Sequence, residues 1–181
     1  MDVRLLGSGG FAPSDTRETA CALFRKESDA LLVDAGTGAR RLLGGSRLLD
    51  GVERLHVVLT HFHLDHILGL FYLAALETPV TVWGAGETLE RVPTRSLVDR
   101  LMLPPFSPAS FHDNFADVNE LDVARETPVG GFIVGARVQP LHSNPTLALR
   151  VDDAVVWCTD TAHDGDNVAF ARGASVLFHD A

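Results

Sequence analysis

The chain has 181 residues, room for one ordinary domain rather than two, and 46% of them are hydrophobic, so a sizeable core can be buried. Lys plus Arg number 15 against 24 Asp plus Glu, a net charge of −9, which argues against a protein that grips nucleic acid by broad phosphate neutralisation but leaves room for a small anion at a metal. Cys21 and Cys158 form no Cys-x-x-Cys pair, no apolar run nears the ~20 residues of a membrane span, and no signal peptide is readable, so a cytoplasmic protein is expected.

Short β-type runs occur at Val3–Leu6, Ala20–Arg25, Ala30–Val33, Leu55–Leu59 and Val80–Trp83, with Gly, Pro, Asp and Asn between them. Later runs are Gly131–Val138, Leu147–Val151, Val155–Cys158 and Ser175–Phe178. Helical spacing predicts Thr37–Leu43, a largely apolar Asp65–Leu76, Glu87–Leu103 with Pro93 in its first turns, and a short Asn167–Arg172. Pro104–Asn119 holds three prolines and little periodicity, and reads as a surface loop of the length that lids have. Strands alternating with helices, then mostly strands, suggest two packed sheets with helices outside. No internal boundary is visible, so residues 1–181 are read as one domain.

The chemistry concentrates in Val57-Val-Leu-Thr-His61-Phe-His63-Leu-Asp65-His66-Ile-Leu-Gly69. His61 and His63, two apart on an extended or turning backbone, can aim both rings at one point. Asp65 and His66 open the next helix and point to a neighbouring one. Imidazole and carboxylate together suit Zn, Fe or Mn. The bland alternative is a polar loop with incidental histidines. Crowding four such groups is costly unless a cation compensates, which favours the metal reading. Gly7-Ser-Gly-Gly10 follows a strand but opens no helix, so it is read as a tight turn rather than a dinucleotide fingerprint.

Thr60-His61-x-His63-x-Asp65-His66 closely resembles the signature of the metallo-β-lactamase fold superfamily. Asp34-Ala35-Gly36 looks like that family's Asp-x-Gly turn, which supports the metal loop; Asp34 could equally cap the helix at Thr37–Leu43. His142, in Leu141-His142-Ser143, matches the family's next histidine, and Asp160, in Cys158-Thr159-Asp160-Thr161, its bridging aspartate. The resemblance implies an α+β fold, an αββα four-layer sandwich. It also implies a fold incomplete at the C-terminus, because a further histidine ligand follows late in the family. His179 and His163 are outside candidates for that ligand, and His56 and His112 are read as structural. By carry-over, His61, His63 and His142 hold one ion, Asp65 and His66 a second, and Asp160 bridges them. Asp65 and Asp160 also serve catalysis by orienting the nucleophile. Two divalent ions are implied, zinc first, with manganese or iron as alternatives.

The implied activity is hydrolysis by a hydroxide held between two cations. The glycine-serine opening, the Asp-Ala-Gly turn and Thr-Asp-Thr look most like the ribonuclease Z and phosphodiesterase branch, so a phosphodiester is the first choice. A carboxylic ester, lactone or thioester is the enzymatic alternative. A degenerate metal-binding domain lacking the final ligand is the third. Because the chain is acidic and has no long basic arm, a small anionic or ester substrate is expected, with no nucleic acid and no membrane as partner. A homo-oligomer formed through an exposed sheet edge is also expected.

Overall fold

Alternation along the strands decides the layers. Leu23 of β2 (Cys21–Lys26) and Leu32 of β3 (Asp29–Val33) bury one way, while their neighbours Phe24, Leu31 and Val33 bury the other. A strand apolar on both sides must be covered on both, and this sheet is. The computed structural model describes residues 1–108, 115 and 117–180. Among them β1 (Asp2–Gly7), β2, β3, β4 (Arg54–Val58), β5 (Val80–Gly84) and β6 (Asp117–Glu120) form one sheet in chain order. β1–β3 are antiparallel and β3–β6 parallel.

The second sheet has the order β11-β10-β9-β8-β7. Its strands are β7 (Thr127–Val129), β8 (Phe132–Gln139), β9 (Thr146–Val151), β10 (Val155–Cys158) and β11 (Val176–His179). Phe24, Leu31, Val33 and Val58 of the first sheet meet Phe132, Val134, Leu147, Leu149 and Trp157 of the second in an inner core. Outside the first sheet, Leu32 and Val57 pack under α1 (Leu64–Ile67), α2 (Leu70–Leu73) and α4 (Thr94–Met102). Outside the second, Val156 and Cys158 pack near Phe170 and Ala171 of α5 (Gly165–Ala171). The expected α+β four-layer sandwich is therefore the observed one.

Four expectations need correction. The helix over 65–76 is two helices broken at Leu68–Gly69, because Gly69 lies against the 34–36 turn: its N–H donates to the Ala35 carbonyl at 2.6 Å, and a Cβ there would come within 2.3 Å of the Gly36 oxygen. The helix over 87–103 is also two, α3 (Gly86–Glu90) and α4, parted by Arg91 at φ 56° and by Pro93, which disfavours helix before it. Thr37–Leu42 is 3-10 rather than α. Within the proline-rich loop 104–119, β6 begins at Asp117, while His112 lies outside the described residues.

Candidate metal centre

The cluster forms where β4 ends. His61 and His66 are buried, and His63 stands at the start of α1. Two groupings of ligand-type atoms result, His61/His63/His142 and His61/His66/Asp160, each with its atoms within 4.8 Å of one another. His61 Nε2 lies 3.0 Å from His63 Nδ1, and His142 Nε2 3.4 Å from the same atom. Residues 61, 142 and 160 are far apart in sequence. The convergence is built by Leu147 N–H donating to the Thr60 carbonyl at 3.0 Å and Ala162 N–H to that of Leu141 at 2.8 Å.

Asp34 is wholly buried, sits at φ 57°, and accepts from three donors. Thr60 N–H approaches it at 2.8 Å, Thr60 Oγ1 at 2.9 and 3.0 Å, and His66 Nδ1 at 2.9 Å. These bonds assign the ring protons. Thr60 has one hydroxyl proton and gives it to the carboxylate, so its oxygen accepts from His61 Nδ1–H at 3.0 Å. His61 Nε2 then carries a lone pair toward the centre. His66 likewise donates through Nδ1, which leaves Nε2 facing Asp160 Oδ2 at 3.0 Å and Asp65 Oδ2 at 3.6 Å without an aligned hydrogen bond. A lone pair aimed at carboxylates is relieved by a proton or by a cation. The residues thus fit a divalent metal: imidazole nitrogens and carboxylate oxygens converge within 4.8 Å, and His66 Nε2 faces two carboxylates whose charge a cation would balance.

The electrostatics agree. Burial presses the His61 pKa down to about 4, helped by the positive His66, so its ring is neutral and ligand-ready near pH 7. Burial opposes the charged form of His66 as well, but Asp34 and Asp160 outweigh it and lift its pKa to about 10. Burial would raise Asp160, yet His66, His61 and His142 hold it at about 2.

Asp65, expected as a ligand, stands at the rim and in neither grouping; its Oδ2 accepts the Phe11 backbone N–H at 2.7 Å. His179 and His163 also join neither grouping, and His179 Nδ1 turns to the Asp180 carbonyl at 2.6 Å. Of the two readings of Asp34, support of the metal loop is what the structure shows; the 3-10 turn is capped by Gly36 without a side-chain bond. Thr60, Phe11 and Asp180 were missed. Asp180 accepts the backbone N–H of Asp160, itself at φ 54°, and holds that strained residue in place. Gln139 donates to the Thr159 carbonyl at 3.1 Å and takes a bond from Asn167 at 2.8 Å, bracing the same loop from below.

A family model described as the metallo-beta-lactamase superfamily matches residues 15–169. The ribonuclease Z of Natronomonas pharaonis is 38% identical over 236 aligned positions, which cover 100% of this chain and 74% of that protein. Alignments to several other archaeal proteins of the same name span between 22% and 50% of their length. A diphosphatase of the PhnP family superposes with TM-score 0.72 at 18% identity, covering 99% of this chain and 73% of that one. Human tRNase Z, short form, gives 0.62 at 21%, covering 98% and 76%. Relatives bearing these names overturn the expectation that nucleic acid is no partner. An acidic average charge does not forbid local recognition of one strand at a metal site. Among the described residues no helix is long and apolar enough to cross a membrane. Taken with the four-layer fold and the converged histidines, these matches place the chain in the metallo-beta-lactamase superfamily.

Proposed function

We propose that this chain is a metal-dependent hydrolase of phosphodiester bonds, with an RNA strand as the favoured substrate class. The observation that carries the reading is the pair of ligand groupings sharing His61, with Nε2 of His66 held between the carboxylates of Asp160 and Asp65. The ribonuclease Z relative at 38% identity supports RNA over a carboxylic ester. His61, His63 and His142 would hold one divalent ion, and His66 with Asp160 a second, Asp65 completing it from the rim; zinc suits the donor set best. When bound, such ions would supply a water ionised near neutral pH and positive charge against the negative charge on the phosphoryl and leaving oxygens.

The chain's own residues do the positioning. Asp34 fixes the rings of His61, through Thr60, and of His66. Asp160 and Asp65, both acceptors, orient the attacking water. The two sheets act together as one catalytic unit. A cytoplasmic setting is part of the proposal, supported by two unpaired, buried cysteines.

The test is turnover of three probes by the zinc- or manganese-loaded chain: bis(p-nitrophenyl) phosphate, a short oligoribonucleotide and p-nitrophenyl acetate. Phosphodiester cleavage that disappears in His63→Ala and Asp160→Ala supports the reading. Hydrolysis of the acetate alone overturns it.

A further inference from the structure

The outer face of the second sheet buries polar side chains where packing alone would favour apolar ones. On β8, Phe132, Val134, Ala136 and Val138 alternate into the inner core, so Arg137 and Gln139 point the other way, to the side covered by α5. Gln139 stands opposite Thr146 in the register of β8 and β9. Gln139, Thr146 and Asn167 of α5 are all buried. Buried amides and hydroxyls are costly unless their polar atoms are matched.

Here the matching has a direction, and Arg137 sets it because a guanidinium only donates. Its Nη1 donates to Asp164 Oδ2 at 2.8 Å and to Asn167 Oδ1 at 2.6 Å, and its Nη2 to Asp166 Oδ2 at 3.0 Å. With its oxygen committed, Asn167 turns Nδ2 to Gln139 Oε1 at 2.8 Å. Gln139 then has both amide protons to give, and Nε2 meets Thr146 Oγ1 at 2.9 Å and the Thr159 carbonyl at 3.1 Å. Thr146 accepts from Gln139, so its own proton goes to the Asp160 carbonyl at 3.3 Å. Every bond runs one way, from the guanidinium to the carbonyls of Thr159 and Asp160. Bonds aligned head to tail polarise and strengthen one another. Asp160 needs such a hold. Its backbone sits at φ 54°, a sparsely populated region, while its Oδ2 lies 3.0 Å from His66 Nε2.

We propose that Arg137, Asn167, Gln139 and Thr146 are positioning residues for Asp160: their one-way hydrogen-bond chain fixes the carbonyls of residues 159 and 160, and so holds the Asp160 carboxylate against His66, where the second ion would bind. This rests on the ligand set proposed above and extends it to residues that hold no metal themselves. The chain ends on backbone, so it sets where the carboxylate sits rather than its charge.

Isosteric variants test direction apart from packing. Asn167→Asp still accepts from Arg137 but cannot donate. Gln139 would then turn its amide to the new carboxylate and Thr146 its proton to Gln139, which leaves the side chains partnered and the carbonyls of residues 159 and 160 without donors. Thr146→Val removes the last donor, and Thr146→Ser restores it. Zinc binding is followed by equilibrium dialysis. In Asn167→Asp and Thr146→Val the ion at His61, His63 and His142 should keep its Kd within about two-fold, while the second should weaken about 10–100-fold; Thr146→Ser should keep both. In the metal-free chain, the ring nitrogen resonances of His66 in NMR spectra should move in Asn167→Asp and Thr146→Val, with those of His63 unmoved, and return in Thr146→Ser. Equal weakening of both zinc steps, which a merely structural role would give, overturns the proposal. So do native zinc affinities with unmoved His66 resonances in both variants. A wild-type chain that takes up no zinc, but whose His66 resonances follow this pattern, defeats the metal reading alone.

Discussion

Asp34 Oδ2 and His66 Nδ1 lie 2.9 Å apart with both side chains wholly buried, and the bond aims the other ring nitrogen at Asp160. The pair sets the geometry of the metal centre from below. Asp34→Ala would leave a buried ring and the Thr60 hydroxyl and amide without their acceptor. It should cost about 3–5 kcal/mol in urea unfolding, the range for breaking a buried pair. Asp34→Asn, which still tolerates a positive φ, should fold and instead weaken metal affinity about 10–100-fold. Native affinity in Asp34→Asn would show that the carboxylate has no orienting role.

Metal uptake should release protons. In the metal-free chain His66 holds a proton up to a pKa of about 10, because Asp34 and Asp160 overcome its burial. An ion needs that nitrogen bare, so near pH 7 binding must displace the proton, and affinity rises with pH. Calorimetry of zinc binding in two buffers of different ionisation enthalpy should report close to one proton from this ring. Uptake without proton release would place the metal elsewhere.

His56 offers a stability test away from the centre. It is buried, with Nδ1 2.6 Å from Thr81 Oγ1, and burial lowers its pKa although Asp29 partly opposes this. The folded chain therefore binds fewer protons than the unfolded one just below the unfolded value near 6.5. The contribution of His56 is present above about pH 6.5 and is lost as pH falls through that value toward the lower folded pKa. His56→Gln should flatten the rise of Tm between pH 5 and pH 7.5 relative to the wild-type chain, in paired thermal melts. Parallel curves would contradict the assignment.

Gly36 is where the Asp34 turn meets the metal loop. A Cβ there would lie 2.4 Å from the Asp65 carbonyl oxygen and 2.4 Å from Thr19 Oγ1, and backbone cannot yield cheaply. Gly36→Ala should destabilise the chain by about 1–3 kcal/mol and loosen the position of Asp65 and His66. A variant with native stability and native metal content would mean that the turn and the loop do not need this close approach.

Much of the site was legible because its ligands lie in one short string. The spacing of His61, His63 and His66 after an apolar strand already implies convergence, and the order of His142 and Asp160 extends it. The supports were not legible. Thr60 is a plain strand-end residue until its hydroxyl is seen between Asp34 and His61, and Phe11 meets Asp65 across 54 positions of sequence. Long-range backbone bonds of that kind leave no local pattern. The fold was read in its strands because both sheets bury alternating apolar faces. The helices over 65–76 and 87–103 were read too long because periodicity cannot see Gly69 pressed on Ala35, or the left-handed Arg91. β6 was missed because its edge position leaves it polar and half-exposed, without the alternation that marks a strand.

The central claim is that His61, His63, His142, His66 and Asp160 gather around divalent ions. An anomalous difference map from crystals of the full chain equilibrated with zinc, collected at the zinc edge, tests it most directly. The account predicts two peaks, one within about 2.0–2.3 Å of nitrogens of His61, His63 and His142 and the other at similar distances from His66 and Asp160. A map with no peak among these side chains, or with zinc bound only at the exposed His163 and His179, would contradict it.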